Sequence, residues 1–283
     1  MPELPEVEVV RRGLSREVAG REVTSVAVTG ARTVRRQPAE TLIDRLRGAR
    51  LGEAGRIGKF LLVPLDDGPD TLVIHLRMSG QLLLTAPEVP LARHTHAVLG
   101  LSDGRQLRFV DPRTFGELFI APSPPGGPGR SPGLPAVLAH LGPDPLSAGW
   151  SAAALSRGLA GRTARLKLLL MDQRFVAGIG NIYSDEALFE AGLRFDRPAG
   201  SLSVDEVARL HQAVRRTLRD AVRHRGSSLR DAQYVDLFGA PGQYQNRHRV
   251  YGREGEPCPR CGGPVRRMPL GGRSTFFCET CQP

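Results

Sequence analysis

The feature that most constrains this chain stands near its end, in the spacing Cys258-x2-Cys261-x16-Cys278-x2-Cys281. Two Cys-x-x-Cys knuckles at that separation can set four thiolates tetrahedrally around one Zn²⁺, and a segment this short cannot hold itself together with a core alone. These four are all the cysteines of the chain. With every position of the tetrahedron taken by sulfur, none is left for water, so the expected zinc is structural. Free thiols or two disulfides are the alternatives, and disulfides suit a secreted protein better than an intracellular one. The opening MPELPEVEVV carries two prolines and three glutamates, where a signal peptide would place basic residues before an apolar stretch. No run of eighteen apolar residues is present to span a membrane. The expected location is therefore the cytosol.

Charge narrows the partner. The formal net charge is +10 over 283 residues, an excess that suits a polyanion, nucleic acid above all, although a solvated basic surface would show the same number. Of the 39 basic residues only Lys59 and Lys167 are lysines. Arginine supplies fixed charge but cannot give up its proton, so a lysine in this background marks a place where a titratable amine is wanted.

Along the chain, Val7, Val10, Leu14 and Val18 recur at helical spacing, which predicts a helix over 5–19 stopped by Gly20. From Val23 to Ile120 the pattern changes to short β-rich runs at 60–63, 71–76, 81–85, 96–101, 106–110 and 117–120, separated by turn sequences such as Asp66-Asp67-Gly68 and Asp103-Gly104. Short antiparallel strands at such spacing predict a sandwich or barrel. The proline- and glycine-rich stretch at 121–135 reads as a linker. Helical patterns lie beyond it. One fits 182–191 with Gly192 as its stop. Another opens on the capping box Ser203-Val204-Asp205-Glu206 and carries a stripe of Val204, Val207, Leu210, Val214, Leu218 and Val222.

The N-terminus offers a reactive group. Removal of Met1 would leave Pro2 with a free secondary amine at the positive end of a helix dipole, which disfavours the ammonium form. Such an amine attacking a sugar C1′ gives an iminium, an electron sink that labilises the C2′ proton and permits elimination of the 3′ phosphate. Glu3 adjoins the amine and Glu6 lies one turn on, within reach for acid–base work. Residue types alone favour a plainer reading, in which proline and glutamate simply start a helix.

Longer motifs decide between these readings. MPELPEVE, the terminal cysteine module, and the segments IGKFLL (57–62), HLRMSG (75–80), DPRTFG (111–116), HLGPDPL (140–146), GIGNIYSDEALFEAG (178–192), VYGREGEPC (250–258) and GRSTFFCETCQ (272–282) resemble, in order and nearly end to end, the formamidopyrimidine-DNA glycosylase family. The resemblance implies an α+β multidomain fold. Its parts are an antiparallel β-sandwich with an N-terminal helix over 1–121, a linker over 122–135, a helix–two-turn–helix domain over 136–246 and a four-cysteine zinc-finger hairpin over 247–283. It implies a base-excision repair enzyme that removes oxidised purines from duplex DNA and cuts the backbone by β,δ-elimination; a monomer is the default expectation, because one duplex would fill the cleft.

Carried over by motif, Pro2 becomes the Schiff-base nucleophile, Glu3 the acid at the deoxyribose, Lys59 the lysine that assists β-elimination, and Arg273 the finger arginine that grips the phosphates at the lesion. His94, Arg113, Arg162 and Asn181 match DNA-contacting positions, the last read also as a helix cap. Met78, Arg113 and Phe115 match the side chains that fill the gap left by an extruded nucleotide, a need that arises from flipping a base out of the stack. By residue type alone Met78 and Phe115 would be core. Arg77 and Thr114 depart from the family pattern, and the segment 227–243, which would close over the extruded base, differs too much for its base-contacting residues to be assigned. Two rivals remain: an endonuclease VIII-like enzyme for oxidised pyrimidines, whose members begin Pro-Glu-Gly-Pro-Glu rather than Pro2-Glu3-Leu4-Pro5-Glu6, and a non-catalytic zinc protein that binds nucleic acid.

Overall fold

The computed structural model describes residues 1–65, 68–123, 134–229 and 234–283. The turn expected at Asp66-Asp67 and most of the expected linker lie outside them. The chain divides into two compact units, residues 1–140 with 225–243, and residues 141–224 with 244–283.

The first unit opens with helix α1 (Leu4–Glu17). Pro5 is at home in its first turn, where its missing N–H costs nothing. Val7, Val10 and Leu14 face inward and are buried. Strands β1 (Val23–Val28), β6 (Thr95–Leu101), β7 (Gln106–Val110) and β5 (Gln81–Thr85) form one four-stranded sheet in the order β1-β6-β7-β5. Strands β2 (Gly55–Ile57), β3 (Phe60–Pro64), β4 (Asp70–His75) and β8 (Glu117–Pro122) form the other, in the order β2-β3-β4-β8. All pairings within these sheets are antiparallel. One apolar cluster draws on both sheets, on α1 and on helix α2 (Ala39–Leu46), and includes Leu61, Ile74, Leu82, Phe109 and Leu118. The expected sandwich is present, and the six β-rich runs match strands to within two residues at each end. Tyr234 and Leu237 join the same core, and the Leu84 amide donates to the Leu237 carbonyl (2.8 Å), so the late segment 225–243 is structurally part of the early unit.

The second unit holds helices α3 (Ala152–Leu159), α4 (Leu166–Met171), α5 (Asn181–Ala191) and α6 (Val204–Arg223) and the hairpin β9 (Arg266–Leu270) and β10 (Arg273–Phe277). Helix α5 ends on Gly192 at φ 67°, a left-handed cap that glycine adopts without strain. On α6 both halves of the Ser203/Glu206 capping box form. The apolar stripe is correct from Val207 onward, but Val204 is 81% exposed: it is the first helical residue, before the helix reaches the core. Among the described residues no helix is long and apolar enough to cross a membrane.

Candidate active site and nucleic-acid interface

In the first unit, Pro2 and Glu3 are buried at the start of α1. Glu3 is the N-cap residue, and its amide donates to Glu6 Oε2 (2.8 Å). Glu6 Oε1 accepts the Ser227 amide (2.7 Å). Both Glu6 oxygens are thus engaged in holding backbone, which gives this residue a fastening role rather than the acid–base role open to it by sequence. A Cβ at Gly226 would stand 2.6 Å from Glu6 Oε1, so only glycine lets the 225–243 segment approach so closely; its φ of +73° requires the same.

Lys59 sits in the two-residue loop between β2 and β3, where Ile57 pairs with Phe60 and Gly58 takes φ 53°. It is buried. The loop is fixed to α1 by Arg56, whose Nη1 donates to the Gly58 carbonyl (3.0 Å) and whose Nε bonds Glu8 Oε2 (3.1 Å). Burial alone would raise the Glu8 carboxyl, but the guanidiniums of Arg11, Arg56 and Arg12 outweigh it and hold it at about 2. Helix α1, which carries Pro2 and Glu3, and the loop that carries Lys59 are therefore joined by a buried charged strut. Beside Lys59, His75 is pushed down to about 3 by burial and by the nearby charges of Arg77 and Lys59. It stays neutral, so its Nδ1 can accept the Arg77 amide (2.9 Å).

Met78, Arg113 and Phe115 lie on two turns, 75–80 and 111–116, that are bonded to each other. The hub is Asp111, fully buried. Its Oδ1 accepts the Ser79 hydroxyl (2.5 Å) and the Arg113 amide (3.2 Å), and its Oδ2 accepts the Gly116 amide (2.7 Å). Arg77 adds an ion pair to buried Glu117 (2.6 Å). Arg77 and Thr114 both take φ 52°, and His94, half-buried beside His96, takes φ 65°. Left-handed backbone is unfavourable for residues with a Cβ, most of all for β-branched threonine, and such strain collects at functional sites. The expectation of core packing for Met78 and Phe115 fails. They are 40% and 47% exposed, and the Arg113 guanidinium lies 5.1 Å over the Phe115 ring. Neither Asp111 nor Arg56 was singled out by sequence; the partners that give them meaning lie 32 and 48 residues away.

In the second unit, Arg273 starts β10 directly after Gly271-Gly272, whose φ values of 56° and 75° suit a tight two-residue hairpin turn. Its side chain is exposed and makes no hydrogen bond or ion pair among the described residues. The strand behind it is gripped firmly. Lys167 Nζ pairs with Asp185 (2.8 Å) and donates to Thr275 Oγ1 (2.9 Å) and the Ser274 carbonyl (3.2 Å). The Phe276 amide donates to Asp185 Oδ2 (3.0 Å). Burial pushes the Asp185 carboxyl up to about 7, and the Lys167 ammonium pulls the other way. The expected cap role of Asn181 is corrected: Gly180 is the cap residue, and the Asn181 amide instead donates to Ser274 O (3.0 Å), beside Arg273. Arg162 is exposed just beyond α3, its carbonyl taking the Gly200 amide.

The four cysteine sulfurs lie within 4.8 Å of one another. The separations Cys258–Cys281 (3.8 Å) and Cys261–Cys278 (3.5 Å) are far beyond a disulfide bond. They sit near the ~3.8 Å edge of a tetrahedron with metal–sulfur bonds of about 2.3 Å. The donor set thus fits a tetrahedral metal.

Comparison with known proteins agrees along the whole chain. Residues 1–118 match the formamidopyrimidine-DNA glycosylase N-terminal domain, residues 141–233 the H2TH domain of the same family, and residues 255–283 the zinc finger found in FPG and IleRS. The chain belongs to the formamidopyrimidine-DNA glycosylase family. The family's member from Heliobacterium modesticaldum is 45% identical over 285 residues, with all of both chains covered, and that from Desulforamulus reducens 42% over 283 residues, covering 100% of this chain and 99% of the relative. Among solved structures, the MutM (Fpg) protein of Thermus thermophilus superposes with a TM-score of 0.84 at 42% identity, over 99% of this chain and 98% of that one. A Lactococcus lactis Fpg in complex with DNA containing an abasic site gives 0.87 at 31% identity, over 99% of each. Membership makes the chain a DNA-repair glycosylase with a DNA-binding, four-cysteine finger.

Proposed function

We propose that this glycosylase excises oxidised purines, 8-oxoguanine and formamidopyrimidines among them, from duplex DNA and then cleaves the backbone through Pro2. The observation that carries this reading is the N-terminus: Pro2 and Glu3 are held at the start of α1, and Arg56 ties that helix to the Lys59 loop. With Met1 removed, the Pro2 nitrogen attacks C1′ as the bond to the base breaks, and the proton that the amine gives up ends on the departing base. Glu3 supplies a proton to the deoxyribose oxygen as the ring opens, leaving an iminium on Pro2. The iminium draws electrons from the C2′–H bond. Lys59 assists as that proton leaves and the 3′ phosphate departs, and a second elimination releases the 5′ phosphate. Arg273 grips the phosphates at the lesion. Met78, Arg113 and Phe115, exposed on two turns that are bonded to each other, fill the gap of the flipped nucleotide. His94, Arg162 and Asn181 contact the backbone.

Cys258, Cys261, Cys278 and Cys281 would hold one Zn²⁺, which supplies folding free energy to the finger and no reactive group. Relatives solved with DNA containing Fapy-dG or an abasic site support the partner. The Pro2-Glu3-Leu4-Pro5-Glu6 start favours the purine enzyme over the endonuclease VIII-like one. Competing duplexes carrying 8-oxoguanine or thymine glycol test this. Preferential excision of 8-oxoguanine is expected, and preferential excision of thymine glycol would transfer the chain to the rival class.

A further inference from the structure

A second basic surface lies on α6, outside the residues assigned above. An open groove of about 880 Å³ runs along this helix, past the C-terminal end of α5, and on to Arg247 and Arg249. Seven arginines line it against two carboxylates, Glu190 and Asp220. Both carboxylates are already occupied. Glu190 pairs with Arg216, Arg249 and Arg260, and Asp220 with Arg247 and His224. The side chains of Arg209, Arg219 and Arg223 make no hydrogen bond or ion pair among the described residues, and all three are solvent-accessible.

The arrangement along the helix is regular. Arg209, Arg216 and Arg223 repeat every seven residues and Arg219 falls between them, so they share one face, opposite the buried Val207, Val214 and Leu218. From Arg209 to Arg223 is about 21 Å at 1.5 Å per residue, the length of roughly six base pairs at 3.4 Å each. The groove is also separate from the Asn181 end of α5. Glu190 lies nine residues further along that helix, about 13 Å away.

The lining says what kind of partner fits. Its only apolar side chains are Ala191 and Ala213, and it contains no aromatic ring except His211. A protein partner would need apolar or aromatic anchors at the centre of its interface, and single-stranded bases would need rings to stack on. A phosphate backbone needs neither: arginine charge alone positions it without reading sequence.

We infer that this face of α6 is a second, sequence-independent binding surface for duplex DNA, separate from the lesion site. The inference rests on the DNA-repair reading above. It gives the enzyme a hold on a neighbouring segment of undamaged duplex while the lesion site is occupied.

The test uses the full-length enzyme trapped by borohydride on a short lesion duplex, so that the lesion site is filled. A labelled, undamaged duplex is then titrated in, at about 50 and 200 mM salt. The trapped wild-type complex is expected to capture the second duplex. The triple variant Arg209→Gln, Arg219→Gln, Arg223→Gln is expected to bind it at least about tenfold more weakly, with a log–log salt slope shallower by about three, because three phosphates are no longer neutralised. Its excision rate on the short lesion duplex stays unchanged. Absence of capture by the wild type, equal capture by the variant, or a joint loss of excision and capture would overturn the inference. So would capture of a poly-glutamate peptide in place of DNA, which would assign the groove to an acidic protein. If no adduct forms, the Pro2 chemistry fails instead; the groove is then judged on the free enzyme, where equal affinity of wild type and variant for undamaged duplex overturns it.

Discussion

The two units hold their functional side chains by opposite means. In the first, Met78, Arg113 and Phe115 ride on turns that contain left-handed Arg77 and Thr114 and are pinned by one buried carboxylate, Asp111. In the second, Arg273 stands at the end of a short, regular hairpin with glycine at both turn positions, and the strand behind it is locked by the Lys167–Asp185 pair and by four cysteines. Under the proposed function the first set enters a DNA duplex and needs shape that local propensity does not supply, a strain that the large apolar cluster of the sandwich can offset. Arg273, proposed to grip phosphate, needs only position. A module with only a small apolar cluster gets that position from buried charge, and would get the rest from the metal that its four cysteines fit.

The contrast between the units breaks most visibly at the metal. Cys258→Ser should abolish DNA binding and leave the first unit folded, because that unit has its own apolar cluster. Metal content, DNA affinity and a melting profile of the variant check this. Full affinity without bound metal would mean that the finger needs no ion to place Arg273. Lys167→Met comes next. Removing one partner leaves Asp185 buried and unpaired, and the expected loss is about 3–5 kcal/mol, with DNA affinity falling alongside. The double variant Lys167→Met, Asp185→Leu should recover much of the stability but not the hold on Ser274 and Thr275. Denaturant unfolding and then a DNA titration separate the two effects. The smallest expected change sharpens the strain side. Thr114→Asn should stabilise the protein by about 1 kcal/mol, since asparagine tolerates left-handed backbone far better than threonine; a lower melting temperature would show that Thr114 is held by something other than strain.

Much of the fold could be read in the sequence because it is written locally. Helix α1, the β-rich runs, α5 with Gly192 and α6 with its capping box all depend on residues within a few positions of one another. Cys258 to Cys281 was legible for the same reason, since ligand spacing is a local code. The places where reading failed are tertiary. Asp111 looks like an ordinary turn aspartate until Ser79 and Gly116 are brought to it. Arg56 is one arginine among many until Glu8 and the Gly58 carbonyl meet it. Asn181 has a capping residue's composition, but Gly180 takes the cap position one residue earlier, and the Asn181 side-chain amide donates to the hairpin carbonyl of Ser274. The return of 225–243 to the first unit depends on Glu6 and Leu84, which no window around residue 235 contains. Lys167, noticed only for its rarity, directs its charge to Asp185 and the hairpin.

The central claim is that Pro2, freed of Met1, is the nucleophile, and borohydride reduction during turnover on an 8-oxoguanine duplex tests it most directly. Reduction converts the iminium into a stable amine, so protein and DNA should become covalently joined. Peptide mapping should then place the adduct on Pro2 and on no other residue. An adduct mapped to Lys59 or Lys167, or full activity from a protein that retains Met1, would contradict the account.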